Sequence, residues 1–435
     1  MKHVRNILYG LMVVVLIIFA VSCDQYSADN NDQNGQTVDT GDEIKSTLSR
    51  DTNPQLQAGE LEALVNGNSE FALDLYRQAR DRADNLFFSP HSISIALAMV
   101  YAGARGETET QMADALHFNL SQDRLHKAFD ALDLELAKRG EGAEGEEFKL
   151  HICNAAWGQR GFSFLQSYLD VLALNYGAGL RLLDFLTDPE GSRLKINDWV
   201  SQQTGQRIQD LLPQETISEA TRLVLTNTIY FKAQWLYVFD KNRTAEAPFY
   251  TLEGEEVSVP MMQRTETFGY TGVDGFYQAV ELPYKGEEVS MVVILPAAGQ
   301  FAAFEAAFEA ATLRQIVANL SYTRLSLTMP KFEFKWGESL VPILKALGMI
   351  KAFGMWEADF SGIDGDYDLF ISEVMHKSFV AVDEEGTEAA AATGVVVDLT
   401  AAPTISMRIN RPFIFLIRDR ATNAILFLGR VVNPE

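Results

Sequence analysis

The side chains of this sequence that could do chemistry are few and scattered. Its six histidines, His3, His91, His117, His126, His151 and His376, include no pair at zinc-ligand spacing, so the residues call for no metal and no cofactor. Two cysteines, Cys23 and Cys153, cannot build a disulfide framework. No Gly-x-Ser-x-Gly elbow, His-Glu-x-x-His pair or Gly-Lys-Ser/Thr phosphate loop occurs. Paired carboxylates arise by chance in a chain with 59 Asp and Glu, and Asp383-Glu384-Glu385 reads by default as a solvated charge run. The formal charge of −23 argues against a nucleic-acid partner, which would need a basic face. Enzyme chemistry is therefore without a motif.

One segment has a composition that needs a function. Residues 386–403 begin Gly386-Thr387-Glu388-Ala389-Ala390-Ala391-Ala392 and run through Thr393, Gly394 and three valines to Pro403. Strand-like runs flank the segment, which has no amphipathic helical pattern; a long connection of this kind inside a compact domain is usually functional. Thr387, Ala389, Ala391, Thr393, Val395, Val397 and Leu399 share one face and none is charged, whereas Glu388 and Asp398 fall on the other. Without a proline before Pro403, every amide through Ala402 can join a ladder. The segment is written as a potential central strand. A flexible Ala/Gly surface loop and an ordinary buried strand are the alternatives that composition leaves open.

The N-terminus reads as an export signal. Lys2 and Arg5 precede an apolar run from Ile7 to Val21, which meets Ala20-Val21-Ser22-Cys23. That box resembles a bacterial lipoprotein cleavage site, with Cys23 as the lipid-bearing first residue and a membrane as its partner. The alternative is a membrane-anchoring helix, for which the run is short against a span of about 20 residues. The expected organisation is a signal peptide over 1–22, a polar tether over 23–54 and one large domain over 55–435, placed extracytoplasmically in the cell envelope. Cys153, in the apolar run from Leu150 to Trp157, reads as a buried strand thiol. The Gly/Glu-rich stretch Arg139 to Glu147 reads as a surface loop.

Within the body, hydrophobic residues at the 47% usual for a globular chain alternate between two periods. Ala72, Leu75, Tyr76 and Ala79 share a helical face. Ser89-Pro90 places a cap before a first-turn proline, Ile93, Ala96, Leu97 and Val100 continue at helical spacing, and Gly103 stops them. Thr108-Glu109-Thr110-Gln111 has the form of a capping box. Further helices fit Phe164 to Tyr176, Arg193 to Thr204 and Leu340 to Leu347. Strand-like runs cover Leu223 to Phe231, Val289 to Leu295, Arg324 to Met329, Phe379 to Val382, Ile405 to Ile409, Phe413 to Ile417 and Ala424 to Val432. With neither βαβ alternation nor a repeat, the pattern predicts a mixed α+β fold with large sheets.

Several stretches together resemble the serpin family, in order from about Leu61 to Pro434. They are Asn85-Leu86-Phe87-Phe88-Ser89-Pro90-His91-Ser92-Ile93 through Gly103 to Thr108, Ile196 to Val200 with Thr204-Gly205 and Ile208 to Pro213, Thr221 to Trp235, Asp383 to Thr393, and Asn410-Arg411-Pro412-Phe413. The resemblance implies three β-sheets, eight or nine helices and an exposed reactive-centre loop over about 384–403. It also implies a monomeric suicide inhibitor of serine, sometimes papain-like cysteine, proteases. The protease would cleave the loop and form a covalent acyl complex. The severed loop would then enter the main sheet, a mode of strand insertion described for serpins generally. Matched to the family, Glu384, Gly386, Thr387, Glu388, Ala389, Ala390, Ala391 and Ala392 form the hinge. Trp235, Lys331 and Glu384 form the breach at the top of the sheet, with Lys331 and Glu384 paired. Ser89, Ser92, Asn227 and His376 form the shutter where the sheet opens. Counting from Gly386 sets the scissile bond at Thr400–Ala401; counting back from Asn410 sets it at Ala401–Ala402, and Leu399 is a third candidate. Thr or Ala suits an elastase-like protease and Leu399 a chymotrypsin- or subtilisin-like one. A non-inhibitory serpin, acting as a binding or structural protein, is the rival reading.

Overall fold

A computed structural model describes residues 42–80, 84–140, 148–387 and 405–435. The seven strands of one sheet lie in the order β1 (Asp42–Ile44), β4 (Leu180–Leu183), β3 (Phe148–Gln159), β5 (Leu223–Gln234), β13 (Gly386–Thr387), β12 (Ile371–Val382) and β11 (Phe332–Ser339). The second sheet has nine strands. Its main path runs β14 (Ile405–Arg408), β10 (Ser321–Pro330), β7 (Glu256–Val273), β8 (Tyr277–Pro283), β9 (Val289–Pro296), β15 (Phe413–Asp419), β16 (Ile425–Val431) and β2 (Leu86–Phe88), and β6 (Ala245–Tyr250) pairs with β7.

Among the described residues there are ten α-helices: α1 (Glu60–Ala79), α2 (Pro90–Tyr101), α3 (Gly106–Leu116), α4 (Gln122–Ala137), α5 (Gln166–Tyr176), α6 (Pro189–Gln203), α7 (Phe301–Ala306), α8 (Ala310–Ala318), α9 (Val341–Ala346) and α10 (Ser361–Asp364). The fold is α+β, as the pattern predicts. Three sheets and eight or nine helices are not what the described residues trace. The eighteen-residue β7 pairs with β10 over Met261–Tyr270 and with β8 over Gly269–Val273, so one strand carries the hydrogen bonding from one layer into the next. The helix count rises because α7, α9 and α10 are only six, six and four residues long.

Burial explains the periods. β9, Val-Ser-Met-Val-Val-Ile-Leu-Pro, is buried at every position, as a strand covered on both faces must be. β12 alternates over its last half, so that His376, Ser378, Val380 and Val382 face the core. Helix α2 is buried at every residue and lies against β3, β5 and β16. Its N-cap is Ser89, whose Oγ accepts from the Ser92 amide at 3.2 Å, with Pro90 in the first turn as expected.

Two expectations need correction. Helix α3 begins at Gly106 and has no side-chain cap; Thr108 is buried, and its hydroxyl accepts the Asp359 amide at 2.9 Å, which withdraws it from capping. The polar tether expected over 23–54 does not extend through the described residues. Its described part, from Asp42, belongs to the body: β1 pairs with β4, Ser46 donates to Asp170 at 2.6 Å, and Arg50 forks onto Asp130 at 2.7 Å and Asp133 at 2.6 Å. Polar residues serve as sheet edge and ion-pair donors as readily as they serve as linker, so composition could not separate the two.

Candidate functional site

The site lies between β5 and β12, which relate to each other differently along their length. In the lower half they pair directly and in parallel, from Ile371 opposite Leu223 to Lys377 opposite Thr228. At the top β13 stands between them, antiparallel to both, with Thr387 opposite Val382 on one side and Ala233 on the other. Thr387 is only 2% exposed, and its Oγ1 lies 2.7 Å from the Tyr284 hydroxyl. Gly386 sits opposite Gln234, where a Cβ would come within 2.0 Å of the Ala233 carbonyl oxygen, so only glycine allows this approach.

The residues leading into β13 are a built turn and not a solvated charge run. Asp383 Oδ1 accepts the amides of Glu385 at 2.8 Å and Gly386 at 3.1 Å. Trp235 is buried, stacks on Tyr284 at 4.5 Å, and donates its indole N–H to the Asp383 carbonyl at 3.0 Å and its amide to the Glu385 carbonyl at 2.8 Å. The Glu384 carboxylate is buried and accepts from Lys331 Nζ at 2.8 Å and from the Thr244 hydroxyl at 2.7 Å. Burial pushes its pKa up, but the two donors outweigh that and hold it below the usual carboxylate range. Glu385, also buried, pairs with Lys241. The two carboxylates that composition assigns to solvent are therefore each satisfied from a different direction.

Lower in the sheet, a polar row crosses three strands. Asn154 on β3 and His376 on β12 stand opposite Asn227 on β5. Asn227 Nδ2 donates to Asn154 Oδ1 and to Ser92 Oγ, and Ser92 Oγ donates to Asn154 at 3.2 Å. His376 Nδ1 donates to Asn227 Oδ1 at 2.6 Å, while its Nε2 accepts the Ser89 amide at 3.3 Å. Each imidazole nitrogen thus has one role and the ring is neutral; burial depresses its pKa to about 3.

The structure brings Trp235, Lys331, Glu384, Gly386 and Thr387 together at the top, and Ser89, Ser92, Asn227 and His376 below. Sequence reasoning missed Asn154, Thr244, Lys241 and Tyr284. Asn154 carried a signal, being a polar residue inside the apolar run of β3. Glu388, Ala389 to Ala392, Leu399, Thr400, Ala401, Ala402 and Cys23 lie outside the described residues. Cys153 lies in β3 opposite Thr228, as a strand residue. No group of three or more His, Cys, Asp or Glu that could hold a metal occurs among the described residues.

A main sheet holding a two-residue strand between two longer ones is the feature at the centre of this α+β protein. The profile of the family described as Serpin (serine protease inhibitor) matches residues 66–434, and the chain belongs to that family. It is 38% identical to an uncharacterized serpin-like protein of Thermococcus kodakarensis, covering 98% of each chain. It is 37% identical to the leukocyte elastase inhibitor of Homo sapiens, covering 86% of this chain and all of that one. The structure of human thyroxine-binding globulin is similar at a TM-score of 0.77 and 31% identity, covering 86% of this chain and 99% of that one. The family is one of serine protease inhibitors, which are not themselves enzymes.

Proposed function

We propose that the protein is an irreversible suicide-substrate inhibitor of elastase- or subtilisin-like serine proteases, cleaved at Thr400–Ala401 and completed by insertion of the severed loop between β5 and β12. The observation that carries this reading is β13: the loop's first two residues already have strand partners on both sides, and Thr387 points inward. Extending that register by ten residues sets Val397 opposite Leu223, since Thr387 stands opposite Ala233. The same parity turns Ala389, Ala391, Thr393, Val395 and Val397 inward, the face that carries no charge.

Insertion would replace one parallel ladder with two antiparallel ones, which pair slightly better per residue. About ten new ladder bonds at ~1 kcal/mol net each supply on the order of 10 kcal/mol. Burying Val395 and Val397 adds ~1.5–3 kcal/mol apiece. The sum exceeds the ~5.5 kcal/mol that drives a two-state change nearly to completion. The uncleaved fold is then metastable and held by kinetics. Trp235, Lys331 and Glu384 act as the breach, and the Ser89, Ser92, Asn227 and His376 row as the shutter, whose neutral donors can exchange partners as the strands part.

The export box adds a location: residues 1–22 are removed, Cys23 carries lipid, and the inhibitor works extracytoplasmically on a membrane as a monomer. The mass of the mature N-terminal peptide tests this, and an unmodified Cys23 overturns it. For inhibition, the protein lacking residues 1–41 is incubated with elastase-, subtilisin- and papain-like proteases and run on a denaturing gel. An adduct that survives denaturation is expected with the first two. Loop cleavage that leaves the protease active and no adduct refutes the reading, and the mass of the released C-terminal peptide locates the bond.

A second reading, carriage of a small apolar molecule, is favoured by a cavity of about 670 Å³ lined by Leu61 and Val65 of α1, Leu313 of α8, and Leu416, Arg418 and Ile425. One similar solved structure is that of a globulin complexed with thyroxine. The small residues of the hinge, Thr387 and Ala389 to Ala392, favour inhibition over it.

A further inference from the structure

Strand β1 determines where the N-terminal segment leaves the body. Asp42 stands opposite Leu182, Leu182 opposite Gly158, and Gly158 opposite Leu223, so Asp42 shares a row of the sheet with the first residue of β5. Thr387 is opposite Ala233, ten residues along β5 and therefore about 33 Å away at ~3.3 Å per residue. Direction matters as much as position. From Ile44, opposite Leu180, to Asp42, opposite Leu182, the chain read backward runs toward the far end of the sheet, away from Thr387. This segment is pinned: Asp42 pairs with Arg160 at 2.9 Å, the Asp51 amide donates to the Leu174 carbonyl at 2.9 Å, and Arg50 is held by Asp130 and Asp133.

We propose that the membrane carrying Cys23 lies beyond this pole, so that the reactive loop faces outward and the trapped protease is delivered into the space between the body and the bilayer. The proposal rests on the readings above, lipidation of Cys23 and loop insertion. Extending the register of β13 places Thr400 three positions past the row of Leu223, at the pole from which the chain leaves toward Cys23. Clearance then becomes a requirement. Eighteen residues, 24–41, separate Cys23 from Asp42 and can reach at most about 60 Å. A protease domain of about 200 residues is roughly 40 Å across. The segment is long enough to admit it; a chain of six residues, reaching about 20 Å, is not.

The test compares the full chain with a variant lacking residues 27–38, both on phosphatidylcholine–phosphatidylglycerol vesicles and both in detergent, against a subtilisin-like protease. On vesicles, both are expected to be cleaved in the loop at the same rate, but the shortened variant to yield several-fold less denaturation-resistant adduct and correspondingly more cleaved inhibitor. In detergent the two are expected to match. Equal adduct yields on vesicles overturn the proposal, and slower cleavage of the shortened variant on vesicles overturns it too, because the loop would then face the bilayer. Failures of the underlying readings stay distinguishable: a full chain that does not float with vesicles refutes the anchor, and a full chain without adduct in detergent refutes insertion.

Discussion

The top and the middle of the β5–β12 seam solve the same problem with different chemistry. At the top, charge closes the seam: Glu384 to Lys331, Glu385 to Lys241, with β13 wedged in the opening. In the middle the strands touch, and neutral amide, hydroxyl and imidazole groups span the row Asn154, Asn227, His376. The reason lies in water. Lys331 and Lys241 keep side-chain exposures of 36% and 62%, so their charge is partly solvated while each buries only a partner carboxylate. At His376 no solvent is available, and an ion there would carry a desolvation cost of several kcal/mol. The upper seam is filled by β13 and held by ion pairs, whereas the lower seam is joined directly and neutral.

The largest expected effect falls on the lower seam. Once cleaved, the protein should melt well above the intact form, because insertion worth on the order of 10 kcal/mol is added to its stability; calorimetry of intact and nicked samples checks it, and coincident transitions would remove the spring. Thr387→Arg comes next. An arginine cannot occupy the position against Tyr284, so cleavage should proceed while adduct formation is abolished, and full inhibition by this variant would count against insertion from β13.

His376→Ala should cost about 3 kcal/mol, since it strands Asn227 Oδ1 and the Ser89 amide at ~1–3 kcal/mol each, read as a fall in the denaturant midpoint. Acid should act on His376 and on two other buried imidazoles. His376, His91 and His126 are held neutral by burial, at about 3, 4 and 4 against an ordinary 6.5. The unfolded chain therefore takes up protons first as pH falls, and the contribution that is complete above 6.5 declines between 6.5 and about 4 for His91 and His126 and down to about 3 for His376. At pH 5 the loss is ~2 kcal/mol per imidazole. Melting temperature against pH should show this slope, and a flat profile would contradict buried neutral rings.

The two cations of the upper seam should separate by exposure. Lys331→Ala leaves Glu384 buried with Thr244 alone and should cost more than Lys241→Ala, because Lys241 is the more solvent-screened of the two ammonium groups. Equal effects in denaturant would remove the contrast between the two carboxylates.

Strands such as β9 and β15 and the N-cap at Ser89 were legible because their signals are local: a largely apolar run, or a capping residue before proline. The resemblance grouped Trp235, Lys331 and Glu384, and Ser89, Ser92, Asn227 and His376, and in the fold Lys331 pairs with Glu384 and His376 bonds to Asn227. Asp383-Glu384-Glu385 misled, since a charge run looks the same whether solvated or turned inward against Lys331 and Lys241. Thr108 misled for a similar reason, because the group that claims its hydroxyl, the Asp359 amide, lies 251 residues away in the chain.

By itself, the order of residues determined the one-faced, uncharged parity of 387–399, the apolar run from Ile7 to Val21 that leads to Cys23, and the mixed α+β character. These depend on periods of two and 3.6 and on near neighbours, which a chain carries with it wherever it folds. Only tertiary structure decided that residues 42–54 belong to the body, that Asn154 joins Asn227 and His376, and that Thr387 is already seated beside Tyr284. Each of these requires the register between strands far apart in sequence, and register is set by how whole faces pack, which no short window of sequence contains.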